Sequence, residues 1–254
     1  MKLLEWNLNQ RSVQKKDGIP HFVVEHIAQI NADAVYLTEF VRENDSGEFL
    51  KELRGLGYAV FLGPAPDKAM NEVLIALKKN YVNEPNIFVM GRDDSQPNFL
   101  RVTSKIKNLD ISFIAARIKV GGGNLEEDYI NRSIQLHAII NEIDELQGNV
   151  VLAGDFNNGF FQDGDNSESY PNRPRQNYSY PRLVAELSAN GYTCHTPKQL
   201  SSWNNCRLDH LFVNNSVKVE SIEYDWSFKK DPAYKENFVG WPDHAMLIAK
   251  IKDF

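Results

Sequence analysis

Short apolar runs that stop at an acid, an amide or a cation recur from one end of the chain to the other. KLLEWNL (2–8) delivers Asn7, with Asn9 just beyond it, and ADAVYLTEF (32–40) delivers Glu39. LDISFIAARIKV (109–120) carries Arg117, and NVVLAGD (149–155) runs into Asp155, Phe156 and Asn157. Asp209 heads the apolar stretch in RLDHLFVN (207–214), and Asp243 and His244 precede AMLIAKI (245–251). Runs of this length and β-branched content read as strands and fall well short of a membrane span. Gly, Asp and Asn also finish ordinary turns, so each segment alone has a purely structural explanation. Their joint occurrence matters, because side chains at strand ends meet on one rim of a sheet.

Between these runs the period changes to that of helices. HFVVEHIAQI (21–30) places Phe22, Val23, Ile27 and Ile30 on one face, and SGEFLKELRGLG (46–57) closes on Gly57, a residue suited to a helix C-terminus. Residues 58–63, 72–79 and 86–92 form three β-like runs between turn residues and read as antiparallel neighbours. Residues 98–106 and 109–120 make a further pair around KNLD, and 127–147 reads as a long amphipathic helix with Ile130, Ile134, Ile140, Ile143 and Leu146 on its apolar face. A helix over 181–190 and strands over 207–214, 217–226 and 244–251 complete the pattern. Many antiparallel strands with a few crossover helices predict an α+β fold of two packed sheets with helices outside. No repeat or linker divides the chain, so a single domain over 1–254 is expected. The irregular stretch 158–181 is long for a compact domain and marks a functional or mobile loop. Its Tyr170, Tyr178 and Tyr180, interleaved with Arg173 and Arg175, are candidates for stacking bases and gripping phosphates.

With 34 acidic against 28 basic side chains the net charge is -6, so no global basic field holds a polyanion. Binding of nucleic acid then needs a local basic face or metal ions. Lys68, Lys78 and Lys79 add little, since lone lysines on strand edges mostly serve solubility. Cys194 and Cys206 are too few for a disulfide framework, although they are able to pair, and no His/Cys cluster suggests zinc. The N-terminal MKLLEWNLNQRS is too polar for a signal peptide, so a cytoplasmic monomer with no membrane partner is expected.

The order WNLN, TE, GDFN, RLDHLFV and DH, with SSW before the fourth, resembles the metal-dependent endonuclease/exonuclease/phosphatase superfamily, which includes deoxyribonuclease-like and apurinic-site nucleases, sphingomyelinases and inositol-phosphate phosphatases. The resemblance covers the whole chain and implies a four-layered α/β sandwich, two mixed β-sheets packed face to face and flanked by helices. It also implies Mg²⁺ (or Mn²⁺) held by Glu39, with Asn7 and either Asn9 or Asp243 completing its surroundings. Phosphodiester hydrolysis suits such a set, because a hard cation and hydrogen-bond donors offset the charge gathering on the phosphoryl oxygens. Asp155 would position or deprotonate water, Asn157 would donate to the phosphate or hold that water, and Asp209 would hold the His244 ring protonated. Either Asp155 or His244 serves as the base. The chain departs from the family at Arg117, where a His or Tyr is usual; an arginine fork binds phosphate oxygens, and a surface ion pair is the other reading. The expected substrate is DNA or RNA. The alternatives are a small phosphorylated metabolite or lipid head group, or a catalytically silent scaffold.

Overall fold

The computed structural model describes residues 1–10, 18–42, 46–66, 70–91, 93, 95–122, 124–158, 177–202 and 206–252. Its strands are β1 (Lys2–Asn7), β2 (Ala34–Phe40), β3 (Tyr58–Phe61), β4 (Glu72–Lys78), β5 (Asn86–Met90), β6 (Asn98–Ile106), β7 (Leu109–Arg117), β8 (Asn149–Asp155), β9 (Tyr192–His195), β10 (Asp209–Asn214), β11 (Val219–Asp225) and β12 (Met246–Ile251). The helices are α1 (His21–Ile30), α2 (Ser46–Gly55), α3 (Leu125–Asp144) and α4 (Tyr180–Ala189). One six-stranded sheet has the order β11-β12-β1-β2-β4-β3, the other β5-β6-β7-β8-β10-β9. Among the described strand pairs only β1–β2 and β7–β8 run parallel, each joined by a crossover helix, α1 and α3. The expected sandwich of two mixed sheets between helical layers is what the chain forms.

The two-residue period of a strand divides the apolar residues between faces. Leu3, Ala34, Tyr36, Ile111, Phe113, Ala115, Val151, Ala153, Leu211 and Leu247 fill the space between the sheets. Their neighbours Leu4, Trp6, Val35 and Leu37 pack outward under α1 and α2. Ile114, Ala116, Val150, Leu152 and Phe212 do the same under α3 and α4. Counting onward by twos along β1, β7 and β8, the inward positions end at Asn7, Arg117 and Asp155, and β10 begins inward at Asp209. The pleat that builds the apolar core therefore ends in polar side chains.

Several local expectations change in three dimensions. Residues 86–90 do not neighbour β4; they pair with β6 in the other sheet. An additional short strand, β9, forms beside β10. The apolar face of α3 is Tyr129, Leu136, Ile139, Ile140 and Ile143, whereas Ile130 and Ile134 are exposed, because packing on the sheet selects a face rotated from the richest isoleucine stripe. Cys194 and Cys206 are free thiols.

Gly154 is not a turn residue. A Cβ built on it lies 1.8 Å from the Ala116 carbonyl oxygen, so β7 and β8 approach each other at a distance only glycine permits. Gly154→Ala is therefore expected to destabilise the protein by about 3 kcal/mol or more, since backbone rather than a flexible side chain must move. Urea unfolding of the two proteins measures the difference, and a cost below about 1 kcal/mol would contradict the close approach.

Candidate active site

Register assembles the site before any side chain is considered. Asp155 stands opposite Arg117 on β7 and opposite Asp209 on β10, and Arg117 stands opposite Asn98 on β6. A transverse row Asn98–Arg117–Asp155–Asp209 thus crosses four adjacent strands on the inward face. The other sheet brings Asn7 over this row, and its Nδ2 donates to Asp155 Oδ2 at 3.0 Å, a hydrogen bond from one sheet to the other. Asn157 completes the clasp: its backbone N–H donates to Asp155 Oδ1 at 3.0 Å and its Nδ2 to Oδ2 at 2.9 Å.

Asn157 reaches this position through a left-handed backbone, φ 44°. Phe156 between them is buried. Asn9 (φ 51°) and Glu39 (φ 52°) adopt the same uncommon conformation. Such strain in non-glycine residues gathers where a surrounding framework holds a side chain in one place. At Glu39 the pairing of β2 with β4 is irregular between Leu37 and Phe40. Arg117 meets Glu39 there, with Nε at 3.0 Å and Nη2 at 2.6 Å from Oε1. Asn9 directs its amide to the Trp241 carbonyl at 3.0 Å and its N–H to Asn7 Oδ1 at 2.8 Å, which orients Asn7.

On the other side of Asp155, His244 Nδ1 lies 2.9 Å and 3.1 Å from the two Asp209 oxygens. Nε2 is 4.0 Å from Asp243. The His244 carbonyl accepts from Trp6 Nε1 at 3.1 Å, and Tyr224 OH donates to the Asp209 carbonyl, so both partners are fixed by backbone anchors. Ligand atoms of Asp155, Asp209 and His244 lie within 4.8 Å of one another. That group could hold a metal ion, and Asn7, hydrogen-bonded to Asp155, and Glu39 bring further hard oxygen atoms to the same rim. A cluster of buried carboxylates and one amide oxygen fits Mg²⁺ better than a softer ion.

Burial and like charge set the protonation of these groups. Burial raises the Asp155 pKa, Asp209 and Glu39 add to the rise, and His244 and Arg117 oppose it, leaving it at about 7. For His244 burial favours the neutral ring, but the Asp209 carboxylate, with Asp155 and Asp243, overrides it and raises the pKa well above its ordinary value. Burial also tends to raise Glu39, yet Arg117 and His244 hold it below the usual range. Sequence reasoning missed Glu5, two residues before Asn7 on the same inward face and fully buried. Burial and the charges of Asp209 and Asp155 push its pKa well up, and Thr38 Oγ1 donates to Oε1 at 3.3 Å. Its signal was an acid at an inward position of an apolar strand. Asp128 and Arg132 were also missed, since an i,i+4 ion pair on a helix usually lies in solvent. Here both are buried; Arg132 Nη1 donates to the Asn157 carbonyl at 2.6 Å and Nη2 to Asp128.

The aromatic loop reads differently. Tyr178 is fully buried and donates to the Phe156 carbonyl at 2.5 Å, so it offers no open stacking face, and the half-buried Tyr180 ring packs 5.1 Å from His210. Tyr170, Arg173 and Arg175 lie outside the described residues, as do Lys68 and Trp203. Lys78 donates to the Leu56 carbonyl at 2.8 Å and sits over Tyr58.

The raised Asp155 pKa makes a pH-dependent prediction. A carboxyl near 3.8 unfolded and about 7 folded binds more protons in the folded state between those values. Stability from this group is present at low pH and lost as pH rises through that window. Asp155→Asn, which cannot ionise, should gain in urea midpoint relative to the natural protein from pH 4 to pH 7.5 in EDTA. A difference independent of pH would show that Asp155 is not held protonated.

Comparison with known proteins agrees with this architecture. The model of the Endonuclease/Exonuclease/phosphatase family matches residues 4–231. Among solved structures, an AP endonuclease from Archaeoglobus fulgidus superposes with a TM-score of 0.70 at 15% identity over 100% of both chains. D. rerio TDP2 complexed with single strand DNA product gives a TM-score of 0.67 at 16% identity, over 100% of this chain and 99% of that one. ANGEL2, a 2',3'-cyclic phosphatase in complex with adenosine-2',3'-vanadate, gives 0.64 at 14% identity, over 98% and 94%. Among curated protein sequences there is no match. The chain, matched by the family model across most of its length and folded as the family folds, belongs to the endonuclease/exonuclease/phosphatase family.

Proposed function

We propose that the protein is a divalent-cation-dependent phosphodiester hydrolase, acting on DNA or RNA. The observation that supports this most is Asp155, clasped by Asn7 and Asn157 between a guanidinium and an aspartate–imidazole pair. A carboxyl with a pKa near neutrality suits a group that takes a proton from water. His244, kept cationic by Asp209, presents Nε2 as a donor to a phosphoryl or leaving-group oxygen. Asn157 orients the attacking water or the phosphate, and Arg117 gives planar donors matched to phosphate oxygens. Glu39 and Asn7, with Asp155, are the residues that would hold Mg²⁺ or Mn²⁺, and Asp243 lines the same rim. Asn9 acts one step back, by orienting Asn7. When bound, the cation supplies Lewis-acid polarisation of a phosphoryl oxygen. A cation also relieves the repulsion among buried carboxylates and favours the ionised Asp155.

A nucleic-acid substrate is supported by the family and by the single-strand DNA product bound to a protein of the same fold. The net charge of -6 favours a second reading, a smaller phosphorylated metabolite or lipid head group. No helix among the described residues is long and apolar enough to cross a membrane.

The test is a panel of plasmid, single-stranded DNA, RNA, abasic DNA and small phosphoesters with Mg²⁺, Mn²⁺ or EDTA. Hydrolysis should require the cation, and Asp155→Asn and His244→Ala should each lower kcat/KM by about 10²-fold or more on the preferred substrate. Turnover indifferent to EDTA would remove the cation from the mechanism. Near-normal rates in both variants would remove Asp155 and His244 from it.

A further inference from the structure

Arg117 is doubly paired within the candidate site. Both Nε and Nη2 converge on one oxygen of Glu39, at 3.0 and 2.6 Å, and Nε lies 3.9 Å from Asp155 Oδ2. Each side chain of the pair is only 12% exposed, so solvent screens it little. An arginine fork usually spreads two donors over two acceptor oxygens; here a single oxygen receives both. That oxygen belongs to the carboxylate which, under the function proposed above, contacts the divalent cation. A guanidinium charge seated on a carboxylate oxygen repels a second cation approaching the same oxygen.

We propose that Arg117 is a latch on the cation site: Glu39 is held either by the guanidinium or by the divalent cation, and release from Glu39 frees Arg117 for a phosphodiester anion. The inference rests on Glu39 as a cation ligand. Two consequences follow from thermodynamic reciprocity. The carboxylates bind a divalent cation more weakly than they would without Arg117. A phosphodiester anion that draws Arg117 away raises cation affinity, and the cation raises affinity for the anion equally. Row geometry allows the exchange, because Arg117 ends β7 and needs only side-chain rotation, with Asn98 and Asp155 fixed on either side of it.

Mn²⁺ binding, read as loss of the free-ion EPR signal, tests the latch without turnover. Arg117→Gln should bind Mn²⁺ about tenfold more tightly or better than the natural protein, the low end of coupling between close buried charges. The gain should vanish in Glu39→Gln/Arg117→Gln. Dimethyl phosphate should tighten Mn²⁺ binding in the natural protein and not in Arg117→Gln. Equal or weaker Mn²⁺ binding by Arg117→Gln, with Glu39→Gln still weakening it in both backgrounds, overturns the latch and leaves the cation site intact. Mn²⁺ binding indifferent to Glu39→Gln in both backgrounds overturns the cation reading and the latch together. If Arg117→Gln does not fold, the Arg117 Nε–H resonance of the natural protein decides: it must shift on saturation with Mg²⁺, and an unmoved resonance overturns the proposal.

Discussion

Burying carboxylates between two sheets costs more than ordinary hydrogen bonds return, and the rim of this sandwich buries Glu5, Asp155 and Asp209 together. The protein meets that cost in three ways. The Glu5 pKa is pushed well up, Asp209 pairs with the His244 imidazole, and Asp155 takes three hydrogen bonds while titrating at about 7. Arg117 and Glu39 compensate each other alongside. A group poised between protonation states is what proton transfer requires, so the charge cluster that burdens folding is the same one that suits chemistry.

This balance depends on a rigid frame. Asn7, Arg117, Asp155 and Asp209 each stand at the first or last inward position of a strand whose middle inward positions, Glu5 on β1 excepted, are apolar and packed. The close approach of β7 and β8 at Gly154 brings Arg117 and Asp155 into one row. Beyond the strand ends, the chain is held by backbone anchors: Arg132 on the Asn157 carbonyl, Tyr178 on the Phe156 carbonyl, Trp6 on His244, Tyr224 on Asp209. Left-handed residues at Asn9, Glu39 and Asn157 are held in place by that frame.

Much of this was legible beforehand, for a definite reason. Strand alternation is a local property, so Asn7, Arg117, Asp155 and Asp209 are marked as strand-end polar residues by the runs that precede or follow them. Glu5 carried the same mark, an acid at inward parity, and was overlooked because acids on half-exposed strands are common. The buried partners on α3 had no comparable mark, since Asp128 and Arg132 look like any solvent-facing helical pair until α3 docks. Tyr178 looked like part of a binding surface for the converse reason: composition reports which side chains are present, not which way the chain turns them.

The sequence by itself determined the period of two, the apolar lengths of the strands, and the identities of the polar groups at their ends. Those follow from nearest neighbours along the chain. Only the tertiary structure decided that β5 joins the second sheet, that Asn7 reaches across to Asp155, and that Arg117 rests on Glu39. Each of these depends on register between segments distant in sequence. Register is set by packing and by backbone approach summed over the whole sandwich, which no local pattern encodes.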